Sequence, residues 1–129
     1  MIGVDVVDIA RFRAALQRTP ALERRLFTRA ERDYCRAAPD PVLRLAGTLA
    51  AKEAVIKALR LGSLAAWGAR IEIARRADGA PRARVGAREI AVSISHDGPV
   101  AVAVALDPTL GHGDGRGREV PRSADEGSV

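Results

Sequence analysis

Between Pro41 and Leu59 the chain repeats its apolar residues at helical spacing. Val42, Leu45, Leu49, Ile56 and Leu59 form one stripe, and Leu43, Ala51, Ala54, Val55 and Ala58 form a second, mostly small one opposite it. A helix apolar on two sides is covered on both. Its few charges are therefore not ordinary solvated ones: Lys52 falls inside the first stripe, and Glu53 and Lys57 stand together on its flank. Asp40 occupies the N-cap position. Pro41 suits the first turn because its missing N–H has no partner there, and Gly62 is expected to end the helix in the left-handed conformation.

Ahead of this helix, Ile2 to Ile9 reads as a short β run interrupted by Asp5, an acid between Val4 and Val6. Asp8 is placed to cap a helix over Ile9 to Arg18, with Ile9, Phe12 and Leu16 toward the core and Arg11 and Arg18 on another face. Thr19-Pro20 breaks it. Thr28 and Glu31 form a Thr-x-x-Glu capping box that opens a second helix through Tyr34 to about Ala37. After Gly62 the pattern alternates, and Arg70 to Ala74, Ala83 to Val85, Glu89 to Ile94 and Val100 to Leu106 read as strands. Asp78-Gly79 marks a turn, and His96-Asp97-Gly98-Pro99 links the last two strands as a hairpin. The class expected is α+β, with one long central helix and shorter helices packed on a small, mainly antiparallel sheet.

Composition narrows the function. The net charge is +5, and because residues 108–129 carry −1, the first 107 residues carry +6. A basic body implies an anionic partner: nucleic acid, membrane surface, phosphorylated cofactor or acidic protein. Aromatics make up only 3%, which argues against single-stranded nucleic acid bound on stacking platforms. One cysteine, Cys35, precludes an intrachain disulfide and fits a reducing cytosol. No run approaches the roughly 18 apolar residues of a membrane span, and the N-terminus lacks a signal peptide's basic segment. A cytoplasmic protein without membrane contact is expected, with a folded domain over residues 1–107 and a disordered polar tail over 108–129.

Singly, the chemical candidates have bland readings. Asp5 fits a turn or an edge strand, Glu53 and Lys57 fit a surface i,i+4 ion pair, and His96 fits a structural hairpin residue. Together they suggest more. An acid in the first strand, Lys-Glu-x-x-x-Lys on an apolar helix and Ser-Ile-Ser-His at a strand end can converge on one polyphosphate.

Five segments carry a family resemblance: Gly3-Val4-Asp5-Val6-Val7; Arg25 to Glu31; Ala50-Ala51-Lys52-Glu53-Ala54 with Lys57; Ile71-Glu72-Ile73 followed by Gly79-Ala80-Pro81; and Val92-Ser93-Ile94-Ser95-His96. In order and spacing over about residues 1–106 the chain resembles the phosphopantetheinyl transferases, closest to the short holo-acyl-carrier-protein synthase type. The resemblance implies transfer of 4′-phosphopantetheine from coenzyme A to a serine of an acidic acyl carrier protein, with release of 3′,5′-ADP. It implies Asp5 and Glu53 as ligands of Mg²⁺, with Asp5, Glu53 and Lys57 catalytic. Lys57, Ser95 and His96 would contact coenzyme A and Arg11 the carrier. It also implies a homotrimer with active sites between subunits, in which Asp5 and His96 come from one chain and Glu53 and Lys57 from its neighbour, or some other division holds.

The chain departs from the family's usual pattern at Thr48 and Leu49, where an arginine and an aromatic residue are usual, at Arg60-Leu61-Gly62, and at Arg70. None of these is a proposed metal ligand. Two other readings stand beside the enzyme: a non-catalytic relative that binds carrier protein or coenzyme A, and a basic nucleic-acid-binding domain, for which no recognition motif is present.

Overall fold

A computed structural model describes residues 1–108. The tail expected from residue 108 onward lies, apart from Pro108, outside the described residues. In chain order the elements are β1 (Ile2–Asp8), α1 (Ile9–Arg18), α2 (Ala21–Leu26), α3 (Arg29–Arg36), α4 (Pro41–Leu59), α5 (Leu64–Trp67), a 3₁₀ turn (Gly68–Arg70), β2 (Ile71–Arg75), β3 (Pro81–Val85), β4 (Arg88–Asp97) and β5 (Val100–Leu106). The strands form one sheet in the order β1-β5-β4-β3-β2, each pair antiparallel.

The caps expected from sequence form. Asp8 accepts from the Arg11 amide at 2.9 Å, and Asp40 accepts from that of Leu43 at 3.4 Å. Thr28 and Glu31 make both bonds of the capping box. The end of α4 differs from expectation. Arg60, not Gly62, takes the left-handed conformation (φ 53°), while Leu61 N–H donates to Ile56 O and Arg60 N–H to Lys57 O. The helix stops where these two bonds satisfy its last carbonyls, which fixes Arg60 in a conformation glycine usually fills. The short α2 and α5 were not expected, because neither is long enough to show a periodicity. β4 runs on through Asp97, so His96 lies on a strand and only Gly98 and Pro99 form the turn.

Helix α4 lies across the sheet, and small residues let it sit close. Ala46, Ala50, Ala51, Ala54 and Ala58 of the helix are fully buried, as are Ala101, Ala103 and Ala105 of β5 beneath it. Lys52 is buried in the same core. Its ammonium lies 2.6 Å from Glu31 Oε1 and also donates to the Gly68 and Ile71 carbonyls. Glu31 Oε2 in turn accepts from the Ile73 amide at 2.8 Å. The capping-box glutamate thus joins α3, α4 and β2, and every polar group of the pair has a partner, as burial requires.

No described residue covers the opposite face of the sheet. Ile2, Val4 and Val6 of β1 and Val104 and Leu106 of β5 share it, each between 37% and 70% exposed.

Candidate active site

Strand alternation turns Gly3, Asp5 and Val7 toward α4 and their neighbours away from it. Asp5 therefore meets the helix at the turn that carries Glu53 and Lys57. Lys57 Nζ donates to Asp5 Oδ1 at 2.7 Å and to Val4 O at 3.2 Å. The Asp5 side chain is 13% exposed, whereas that of Lys57 is 56% exposed. Burial pushes the Glu53 carboxyl above its ordinary pKa, and the Asp5 carboxylate within hydrogen-bonding reach pushes it further, against the pull of Lys57. The hydrogen bond to Asp5 raises Lys57 in turn.

Asp5 and Glu53 face a cleft of about 380 Å³ between β1, α1 and α4, which Arg11, Phe12 and Leu49 also line. Two half-buried carboxylates side by side, one of them disfavouring its own charge, make a natural place for a cation. Among the described residues no group of three or more His, Cys, Asp and Glu side chains gathers to hold a metal. The oxygen pair suits a hard divalent ion that completes its shell with water and substrate phosphate.

His96 and Ser95 do not join this cleft. In register, Val7 pairs with Ala101 and Ala101 with His96, so two strand spacings of about 4.8 Å separate β1 from β4. Helix α4 stands between the two flanks. His96 instead lines a second cleft of about 410 Å³, with Asp40, Arg44, Gly47, Arg75 and Ile94. Ser95 points to the opposite face, beside Val102. Because Asp5, Glu53 and Lys57 gather within one chain, a division that takes Asp5 from one subunit and Glu53 and Lys57 from another does not fit.

The second cleft holds basic groups that sequence reasoning missed. The guanidinium carbons of Arg44 and Arg75 lie 4.7 and 5.1 Å from the centre of the Tyr34 ring. Asp40, the acid of this cleft, is bound by Arg13 at 2.8 Å, which holds its pKa below the ordinary value. No local motif announces this set, since its members come from α3, α4, β2 and β4. Thr48, where the family usually carries an arginine, is buried and donates to Arg44 O at 2.9 Å. Leu49 borders the Asp5–Glu53 cleft.

An α+β domain that sets a carboxylate pair over one cleft, with a lysine bonded to one of the two and a basic cleft on the far flank of the same helix, has chemistry suited to a phosphate-ester transferase. The model of the 4′-phosphopantetheinyl transferase superfamily matches residues 1–105, and the chain belongs to that family. Its relatives include the holo-[acyl-carrier-protein] synthase of Chlorobaculum parvum, 43% identical over 112 residues that span 81% of this chain and 95% of the relative. That of Moorella thermoacetica is 41% identical over 115 residues, 81% and 90% of the two chains. Among solved structures, the Helicobacter pylori holo-[acyl-carrier-protein] synthase in complex with coenzyme A superposes with a TM-score of 0.71 at 30% identity, over 82% of this chain and 98% of that one. The Bacillus anthracis enzyme, in complex with CoA (3′,5′-ADP), gives 0.70 at 28% identity, over 81% and 91%.

Proposed function

We propose that the chain transfers the 4′-phosphopantetheine group of coenzyme A to a serine hydroxyl of an apo acyl carrier protein, giving holo carrier protein and 3′,5′-ADP. The observation that carries this reading is the Asp5–Glu53 pair lining one cleft, with Lys57 bonded to Asp5, in a chain of this family. The serine hydroxyl oxygen attacks the phosphorus bearing the pantetheine arm and gives up its proton to solvent. The phosphoanhydride bond breaks and 3′,5′-ADP leaves with the bond's electron pair.

Asp5 and Glu53 are the residues that hold Mg²⁺ in this reading. The ion, when bound, neutralises charge on the pyrophosphate and orients an in-line displacement. Lys57, mostly exposed and tied to Asp5 only by its tip, is free to turn its ammonium to a phosphate oxygen. Arg11, on the rim of the same cleft, meets the acidic carrier as its serine arrives.

His96 contacts coenzyme A in this reading from a neighbouring subunit, because α4 keeps it from the Asp5–Glu53 cleft of its own chain. The assembly in this reading is a homotrimer, and the apolar face of β1 and β5 supports contact between subunits, since a row of exposed Ile, Val and Leu side chains on a sheet marks a contact surface. Ser95 lies on that face, so a contact between Ser95 and coenzyme A also needs the assembly. No described helix is long and apolar enough to cross a membrane.

Release of 3′,5′-ADP tests the reaction. Chromatography should show it only when coenzyme A, an apo carrier protein and a divalent cation are present together. Failure of every apo carrier offered to elicit release would contradict the proposal.

A further inference from the structure

Gly3 precedes Asp5 by two residues and faces α4 on the same side of β1. A Cβ at Gly3 would fall 2.7 Å from Ala58 N and 3.0 Å from the Ala54 carbonyl carbon, and closer still to the Ala54 carbonyl oxygen. All three are backbone atoms of the last two turns of α4, at fully buried residues, and cannot turn aside. Carbon atoms pack at about 3.5–4.0 Å, so any side chain here drives strand and helix apart, by an amount on the order of 1 Å. Ala54 directly follows Glu53, and Ala58 directly follows Lys57. This tight contact of β1 with α4 is therefore one residue from each helix member of the site and two from its strand member.

We propose that Gly3 is a positioning residue for the transfer reaction: its bare Cα seats β1 on the backbone of α4 at Ala54 and Ala58, and that contact sets the separation at which Asp5 and Glu53 share one divalent cation. The inference rests on the reading of Asp5 and Glu53 as the metal pair. The separation of the two carboxylates is a strand-to-helix distance, which no side-chain rotamer restores once the backbones part. Ala103, the register partner of Asp5 on β5, is 1% exposed under the same helix and limits the gap from the neighbouring strand.

Gly3→Ala tests this with Mn²⁺ alone as the probe, its binding followed by electron paramagnetic resonance. Affinity should fall on the order of 10–100-fold, the usual cost of disturbing what orients metal ligands. The Mg²⁺ concentration for half-maximal transfer should rise in step, while KM for the carrier changes little. Gly68→Ala is the control for general strain, because its Cβ would press on the Leu26 carbonyl oxygen at 3.1 Å, outside the contact between β1 and α4. It should lower thermal stability and leave Mn²⁺ affinity alone. Should Gly3→Ala not fold, Ala103→Val decides, with the same loss of Mn²⁺ affinity expected. Unchanged Mn²⁺ affinity in the folded variant, or an equal loss in Gly68→Ala, overturns the role of Gly3 alone. Absence of Mn²⁺ binding by the unaltered protein overturns both this inference and the metal-pair reading beneath it.

Discussion

Lys57 sends its ammonium across to Asp5, 2.7 Å away, instead of along its own helix to Glu53. Without metal, the charge of Asp5 is compensated and that of Glu53 is only partly so. The two carboxylates, alike in the proposed chemistry, therefore differ in what their removal does to the free protein.

Glu53→Gln should abolish transfer and raise the metal-free thermal midpoint, whereas Asp5→Asn should abolish transfer and leave the midpoint nearly unchanged or slightly lower. The Asp5–Lys57 pair is exposed on its lysine side and contributes little, as surface pairs do. pH dependence distinguishes the two further. A raised Glu53 pKa means that, between the ordinary 4.5 and the raised value, the folded state holds a proton the unfolded chain has lost. Stability from this group therefore falls as pH rises through that window. Glu53→Gln should remove the fall, and Mg²⁺ should offset it at neutral pH by binding the folded state. Midpoints measured against pH, with and without Mg²⁺, check both signs. A lower midpoint for Glu53→Gln would mean that the carboxylate is a structural partner.

Two lysines of one helix should fail in opposite ways. Burial lowers the pKa of Lys52 against the opposing effect of Glu31, and the pair is sealed from solvent. Lys52→Met strands Glu31 in the core and should cost about 3–5 kcal/mol. For a domain of this size that is a midpoint drop of more than about 12 °C. Lys57→Met should shift the midpoint little but lower the transfer rate at saturating coenzyme A. Calorimetry and a rate assay on both variants check the contrast. A stable but inactive Lys52→Met would move Lys52 from architecture to chemistry.

Subunit sharing predicts complementation. Glu53→Gln and His96→Ala should each be inactive alone, yet co-expression should restore activity. Random assortment into trimers leaves roughly a quarter of the sites with both residues intact. Activity no greater than the sum of the two variants would place His96 outside the shared site.

Arg11→Glu should raise KM for the acidic carrier, more strongly at low salt, and leave KM for coenzyme A nearly unchanged. A rim charge acts over a screening length of about 10 Å at 0.1 M salt. An altered KM for coenzyme A with an unchanged carrier KM would move the docking face away from α1.

Local signals in the chain foretell local structure well. Asp8, Thr28 with Glu31, and Asp40 each mark a helix start, because a cap is a contact across three residues. The double apolar stripe foretells a helix covered on both sides, and Lys52 within it is buried as its position implies. What the chain hides is long-range. Glu31 looks finished as a cap, yet it also holds Lys52 and Ile73, 21 and 42 residues away. Arg60 ends α4 although no propensity favours it there, since the two closing hydrogen bonds decide. The separation of His96 from Asp5 follows from β5 pairing between β1 and β4, which no single segment encodes. The pairing of Asp5 with Glu53 was legible only through the family resemblance, because the two stand 48 positions apart.

The central claim is that the Asp5–Glu53–Lys57 cleft moves phosphopantetheine from coenzyme A to a carrier serine. Intact mass of an apo acyl carrier protein, incubated with coenzyme A, Mg²⁺ and this protein, tests it most directly. The carrier should gain the mass of one phosphopantetheine group. That gain should vanish with a chelator, with Glu53→Gln, or when the carrier's acceptor serine is replaced by alanine. No gain across several apo carriers, or an equal gain with Glu53→Gln, would contradict the account.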